Sequence, residues 1–371
     1  MKRLEKHVQL LMSVLRPSET RKGWSSDVDL KDLFFRLTLD SSTEMLFGES
    51  VYSQTLSLPE NLRPVEFRSA LNVDPIAFAK AFDVGQHCGA VRARLSRLGQ
   101  FYITSEAKRC AKIASDFADP YVQLALDRTA NEKTGDDKPR YIFAEAIAKE
   151  TRDPEVIKQQ LLSIMIAGRD TSASLLSYLF RHLVHQPEIF TRLRSEIIST
   201  FGTYSNPEEI TFASLKSCNY LQNCINETLR MDTTVPINTR NAVRDTTLPR
   251  GGGPDGSQPV FVPKGRVIDF STHVMHHRKD LWGPDADEFK PERFQGRRHG
   301  WEFLPFAAGP RICLGQQMAI ITASYVTVRL LQRYEEIEGT EEEMTAVLGD
   351  RLGLSSAPDR GPMVRMREAE A

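Results

Sequence analysis

Apolar residues along this 371-residue chain recur mostly at intervals of three and four, the spacing of helix faces that pack on a core. Leu4, Val8, Leu11 and Leu15 share one face at the start. Over 28–46, Leu30, Leu33, Phe34 and Leu37, continued by Leu39, Met45 and Leu46, predict a second amphipathic helix. Two more helical patterns cover 66–95 and 100–129, and the charged stretch NEKTGDDKPR after them reads as an exposed loop. Asp153 can then cap a helix with Pro154 in its first position, and the run LLSIMIAG carries that helix to Phe180. It should be the longest and most buried. Further helices are expected over 187–201 and 219–231, where the texture changes. Thr246 to Pro259 reads as a turn-rich loop between short β-like segments, with VFV at 260–262 and RVIDF at 266–270. Residues 276–300, rich in Pro, Gly, Asp and Arg, read as ordered irregular chain. Helix resumes over 315–334, and the tail from Leu352 to Met366 reads as a short hairpin. The predicted fold class is mainly α with small β portions.

Composition narrows the class without naming a task. The chain is 40% hydrophobic and 26% charged, which suits a soluble globular protein with one large domain or two smaller ones. Forty-eight basic against forty-nine acidic residues leave a net charge of -1, so charge gives no argument for nucleic acid or anionic membrane as partner. Five cysteines, at 88, 110, 218, 224 and 313, are not paired at zinc-ligand spacing and point to a reducing compartment without a disulfide framework. The start, MKRLEKHVQLLMSVLRP, has no uninterrupted apolar core and no small-residue cleavage site, so it is not a secretory signal. The longest uncharged run, Leu314 to Val328, is shorter than the roughly 20 residues of a spanning helix, and no membrane span is expected.

The chemistry concentrates in FLPFAAGPRICL, residues 303–314. Cys313 follows a Gly-Pro-Arg turn and opens a long uncharged helical run, which sets its sulfur at the positive end of a helix beside Arg311, an environment that favours thiolate. A single Cys thiolate on haem iron pushes electron density towards the metal and favours O–O cleavage. The bland alternative is a buried small hydrophobe. In the long helix, Gly168 lets the backbone lie close to a flat cofactor, and Thr171 shares its face beside the acid Asp170, a pairing able to relay protons. Taken alone, that segment also fits a small-residue packing surface. Glu227 and Arg230 stand at i and i+3 on one helical face. The triple glycine at 251–253 lacks the Gly-Lys-Ser/Thr ending of a phosphate loop, and adjacent His276 and His277 point in different directions on regular structure, which argues against a metal pair.

The pattern Phe306-x-x-Gly309-x-Arg311-x-Cys313-x-Gly315 resembles the haem-ligand loop of the cytochromes P-450. Ala167-Gly168-Arg169-Asp170-Thr171-Ser172 resembles that family's oxygen-activating groove, and Glu227-Thr228-Leu229-Arg230 and Pro291-Glu292-Arg293-Phe294 resemble its Glu-x-x-Arg and Pro-x-Arg-Phe elements, in the family's order. The resemblance implies a cytochrome P-450 fold binding haem b through Cys313, with Phe306, Arg311 and Gly315 in the ligand loop and Gly168 against the cofactor. It implies that Thr171 holds dioxygen and a hydrogen-bonded water, that Asp170 helps deliver protons, and that Arg169 has no assigned role. Glu227, Arg230 and Arg293 would form a buried structural network, and Arg311 and Arg240 are candidates for the haem propionates. LFFRLTLDSSTEMLFGES and VPINTRNAVRDTTLPRGGGPDGSQPVFVPKG look like the fungal alkane and fatty-acid hydroxylase group. By that likeness the chain is a monooxygenase that hydroxylates an n-alkane or fatty acid at or near its terminal carbon, using O2 and electrons from NADPH-cytochrome P-450 reductase. The family implies the endoplasmic reticulum membrane; the chain as given, with no span, would be cytosolic or membrane-peripheral. The membrane anchor, early helices and strands, and distal cover of such family members do not precede Met1. Residues 1–371 therefore read as a single, N-terminally truncated haem domain, expected to be poorly soluble and to retain haem weakly. A catalytically inactive haem-binding remnant and a helical interaction scaffold are the alternatives.

Overall fold

A computed structural model describes residues 1–57, 74–130, 141–296, 299–347 and 349–370. In chain order the elements are α1 (Lys2–Val14), β1 (Val28–Asp29), α2 (Leu30–Phe47), α3 (Pro75–Arg94), α4 (Ser105–Ala130), α5 (Phe143–Glu150), α6 (Pro154–His185), α7 (Pro187–Phe201), α8 (Phe212–Ser217) and α9 (Asn219–Met231). Then follow β2 (Ile237–Asn241), β3 (Thr246–Gly252), β4 (Gln258–Val262), β5 (Val267–Ser271), α10 (Thr272–His276), α11 (Lys279–Trp282), α12 (Gln316–Arg333), β6 (Tyr334–Gly339), α13 (Glu341–Thr345), β7 (Asp350–Leu352), β8 (Ser356–Pro358) and β9 (Met363–Glu368). Helix dominates, with small antiparallel sheets, as the apolar spacing predicts.

Helix α6 is the longest described element, and its start is written in two residues. The Asp153 carboxylate accepts hydrogen bonds from the Glu155 and Val156 amides, while Pro154 fills the first position, where no amide proton is needed. The helix packs against α2, α4, α5, α7, α9 and α12. Two apolar cores meet along it. Ile157, Leu161 and Met165 join Leu39, Leu46 and Phe47 of α2 and residues of α3 to α5 in one core. From Ala173 to Val184 the same helix enters a second core with α1, the first half of α2, α7, α9 and α12. Between the two, Ile166, Ala167 and Gly168 are exposed. Helix α2 ends at Gly48, which takes φ 89°, and a Cβ there would stand 2.7 Å from Ile142 Cδ1; conformation and space both demand glycine.

Local pattern and structure part company in the β portions. A strand, β3, covers Thr246–Gly252 where a loop is expected, and pairs antiparallel with β4 at Thr246↔Val262, Thr247↔Phe261 and Leu248↔Val260. Pro249 lacks an amide proton but is tolerated because the ladder is irregular between Leu248 and Gly252 and has only two strands. The glycines make the tip, with positive φ at Gly251, Gly253 and Gly256. In the tail, β7 and β8 form the hairpin, but β9 leaves it to pair with β1 and β6. Val364 and Met366 alternate inward from β9 to the core, a burial that needs partners hundreds of residues away. Helices α5 and α8 were not evident in the apolar spacing. The charged stretch at 131–140 and the early part of the 66–95 pattern lie outside the described residues, and α3 starts at Pro75.

Candidate functional site

The segment 303–315 links the irregular chain before it to α12. Its backbone closes on itself: the Cys313 amide donates to the Phe306 carbonyl at 2.9 Å, Ile312 to Gly309 at 3.1 Å, and Ala307 to Leu304 at 3.2 Å. Ala307 and Gly309 hold positive φ of 56° and 68°, so the turn keeps a non-glycine residue in the left-handed region. All five cysteines are free; four are buried and Cys313 is exposed. Its Sγ lies 4.0 Å from where a Cβ on Gly315 would stand, which puts the sulfur beside the N-cap of α12. No side chain caps that helix, whose N-cap is Gly315, so its first amides keep their positive end open towards the loop. Phe306 is partly buried against the main core, and Arg311 is exposed, with no ion pair among the described residues.

Helix α12 packs on α6, the element that carries Gly168 and Thr171. A Cβ added to Gly168 would meet nothing within 4 Å, so that stretch of α6 faces open space. The Thr171 hydroxyl donates to the Ala167 carbonyl at 2.7 Å, which leaves its lone pairs as acceptors on the same side. Burial pushes the Asp170 carboxyl up from its usual range, against the pull of the Arg169 guanidinium 3.4 Å away. Arg169, for which the sequence suggests no role, is almost fully buried. It pairs with Asp83 of α3 and lies 5.5 Å from the Phe35 and Phe82 rings, so it ties α3 to α6 beside the open stretch.

Glu227, Arg230 and Arg293 come together behind the cysteine loop. Arg230 grips Glu227 through two bonds of 2.8 Å, and donates to the carbonyls of His276 at 2.8 Å, Ala286 at 2.7 Å and Glu288 at 3.2 Å. Arg293 reaches Glu227 at 3.4 Å, the Trp282 carbonyl at 2.8 Å and Asp285 at 3.0 Å, and the Lys290 amide donates to Glu227 at 2.8 Å. The two Arg293 and Lys290 cations beside Asp285 hold its carboxyl well below the usual range. Both Glu227 and Arg230 have no solvent exposure, so such pairing is what makes their charges tolerable.

Arg240 stands apart from these groups, on β2, where its guanidinium donates to the Thr239 carbonyl at 2.9 Å and lies 5.5 Å from the Phe270 ring. The sequence missed His276. Rejected as a metal ligand, it is buried, and its Nε2 accepts the Leu304 amide at 3.0 Å at the start of the cysteine loop. The partner lies in a segment 28 positions away in sequence, and no local pattern signals it. Among the described residues no group of three or more His, Cys, Asp or Glu could hold a metal ion, and no helix is long and apolar enough to cross a membrane. A cleft of about 680 Å³, lined by His182, Arg192, Tyr220 and Glu292 among others, contains none of the candidate residues.

A family model described as Cytochrome P450 matches residues 1–359. The chain is 50% identical over 365 residues to the cytochrome P450 monooxygenase g430 of Fusarium sp, covering 97% of this chain and 63% of that protein. It is 43% identical to the cytochrome P450 monooxygenase alt2 of Alternaria solani, over 99% of this chain and 70% of the relative. With cytochrome P450 52A1 of Candida tropicalis it shares 44% identity over 91% of this chain and 61% of the relative. The chain thus spans less than two thirds of the Fusarium and Candida proteins.

Proposed function

The chain belongs to the cytochrome P450 family, and from that premise we propose that it forms the haem-binding part of a monooxygenase whose axial ligand is the Cys313 thiolate. One observation carries the reading: Cys313 alone among the five cysteines is exposed, and it sits in a closed backbone turn with its sulfur beside the N-cap of a helix that no side chain caps.

The residues around it suit a large apolar disc with two carboxylates. Gly168 opens onto empty space, and Ile166, Ile312, Leu314 and Met318 leave 38%, 53%, 91% and 53% of their surface uncovered. Apolar groups so exposed gain about 25 cal/mol per Å² when a ligand covers them. Among the described residues Arg311 has no carboxylate partner and Arg240 donates only to a backbone carbonyl, so both guanidiniums can take propionates in the bidentate geometry arginine favours. Haem b, bound there, supplies the oxidising chemistry that a thiolate ligand promotes. The protein's share is placement. Cys313 would hold the iron; Phe306 and Gly315 would shape the loop; Gly168 would leave room for the ring; Thr171 would offer acceptor lone pairs, and Asp170, next in the chain, would act as proton donor. Glu227, Arg230 and Arg293 brace the loop from behind, without touching a substrate.

The substrate follows from the lineage segments described above: an n-alkane or fatty acid, hydroxylated at or near the terminal carbon, with O2 and electrons from an NADPH-cytochrome P-450 reductase at the endoplasmic reticulum. An apolar chain binds by methylene burial, so affinity should rise about 0.8 kcal/mol per CH2 until the pocket ends. Spin-state titration with fatty acids of increasing length measures this, and tight binding of compact steroids with none for any fatty acid or alkane defeats the substrate reading. The ligand reading is tested by adding haemin and recording the ferrous carbonmonoxy spectrum. Cys313→Ser should abolish the red-shifted thiolate band while Cys224→Ser, at a buried cysteine, keeps it. Persistence of that band in Cys313→Ser sinks the assignment, and a helical scaffold without haem would give no band at all.

A further inference from the structure

We infer that His276 is a positioning residue for the cysteine loop, a neutral imidazole that transmits the rigidity of the Glu227, Arg230 and Arg293 network to the backbone leading to Cys313. It rests on the Cys313 reading only for its consequence at the iron.

His276 ends α10, fully buried, and makes hydrogen bonds on three sides. Its carbonyl accepts from Arg230 at 2.8 Å. Its Nε2 faces the Leu304 amide at 3.0 Å, and its Nδ1 faces Thr233 Oγ1 at 3.1 Å. The amide can only donate, so Nε2 must accept and the ring proton must sit on Nδ1. Thr233 Oγ1 then accepts from Nδ1 and turns its own proton to the Arg230 carbonyl at 3.4 Å. From Leu304 the connection runs on. The Leu304 carbonyl accepts the Ala307 amide, and Phe306 of that turn accepts the Cys313 amide. A continuous series of hydrogen bonds thus joins the buried ion network to the cysteine.

The ring is also held by its neighbours. Phe303, the residue before Leu304, lies 5.4 Å from the His276 ring, and contacts Trp282, Phe294 and His299 at 6.0, 4.9 and 5.8 Å. Trp282 meets the His276 ring edge-on at 6.3 Å. The charged or titratable groups that face His276 are Arg230 from α9 and His273 and His277 from its own segment; burial and then their charges disfavour an imidazolium, outweighing a hydrogen bond to the Arg230 backbone that favours it. A second ring proton would point at the Leu304 amide, donor against donor. Only the neutral form can hold the loop.

The test uses the full chain, first without haem and then loaded. In His276→Leu, exchange at the Leu304 amide should quicken about tenfold, the loss of one hydrogen bond, while the α6 core amides keep their native rates. His276→Gln, whose side-chain oxygen can replace Nε2 as acceptor, should return Leu304 close to the native rate. Once loaded with haem, His276→Leu should shift a large part of its ferrous carbonmonoxy spectrum from the thiolate band to the neutral-ligand band, and His276→Gln should restore it. Native exchange at Leu304 in His276→Leu, a full thiolate band in that variant, or failure of Gln to rescue would each overturn the inference. If His276→Leu does not fold, Thr233→Val decides: it removes the hydroxyl that accepts from Nδ1 and holds the ring in place, so faster Leu304 exchange supports the inference and a native rate refutes it. A thiolate band surviving in Cys313→Ser would defeat the ligand reading and leave the Leu304 exchange result standing.

Discussion

Glu227 and Arg230 bear charges with no solvent contact, and they are met by each other, by the carbonyls of His276, Ala286 and Glu288, and by the Lys290 amide. Truncating one partner leaves the other charged and stranded, so Arg230→Met should cost about 3–5 kcal/mol in urea unfolding. A loss under about 1 kcal/mol, the scale of a surface pair, would mean that the network contributes little. His276 adds a pH dependence at the same scale. Burial, then the Arg230 charge, lower its pKa from 6.5 to about 4. Between those values the unfolded chain takes up the proton that the folded one refuses. Stability is therefore fully present above about pH 6.5 and falls as pH drops towards 4, by about 3 kcal/mol in total. Urea midpoints at neutral and mildly acidic pH should diverge in the native chain and diverge less in His276→Gln; equal divergence in the two would show that His276 takes up its proton over the same pH range in the folded and unfolded states.

Helix α6 works as an element because its two halves belong to different cores and its exposed middle is held between them. Its ends fix the position of that middle. Asp153→Ala removes the acceptor for two first-turn amides and should lower stability by about 1 kcal/mol, whereas Asp153→Asn should be nearly neutral. Thermal denaturation of the pair checks this, and equal losses would mean the cap is not what matters. Arg169→Met keeps the stem that lies against Phe35 and Phe82 but loses the Asp83 pair. Amides of α3 should then exchange faster while those from Ala173 onward do not change, because the pair links only α3 to the helix. Uniform acceleration along α6 would contradict this division.

For the whole molecule, large apolar side chains stand in water next to Gly168 and next to Cys313 in sequence, as well as elsewhere, and the proposed site would bring these into one patch. A patch of this kind favours self-association until a ligand covers it. By the proposed site, haemin would bind the folded form in preference to the unfolded one, so the melting temperature should rise with haemin concentration and binding of a hydrophobic dye should fall in step. The rise should be smaller for Cys313→Ser, which keeps the apolar surface but loses the metal bond. An unchanged melting temperature at saturating haemin would refute the proposed site.

Sequence alone determined the helices with a clean apolar stripe, the cap at Asp153, and the loop motif that singles out Cys313, because each is set by residues within a few positions of one another. It also paired Glu227 with Arg230, one helical turn apart, and a family resemblance supplied Arg293. Tertiary structure decided the rest. Strand β9 leaves the expected hairpin for β1 and β6 because Val364 and Met366 are buried only there. Arg169 is a tie between helices because Asp83, Phe35 and Phe82 converge on it from other elements. His276 becomes a brace for the cysteine loop only when folding carries the Leu304 amide to its Nε2. A hydrogen bond between distant segments depends on where packing puts both partners, and hydrophobic periodicity records only which face of each element is buried.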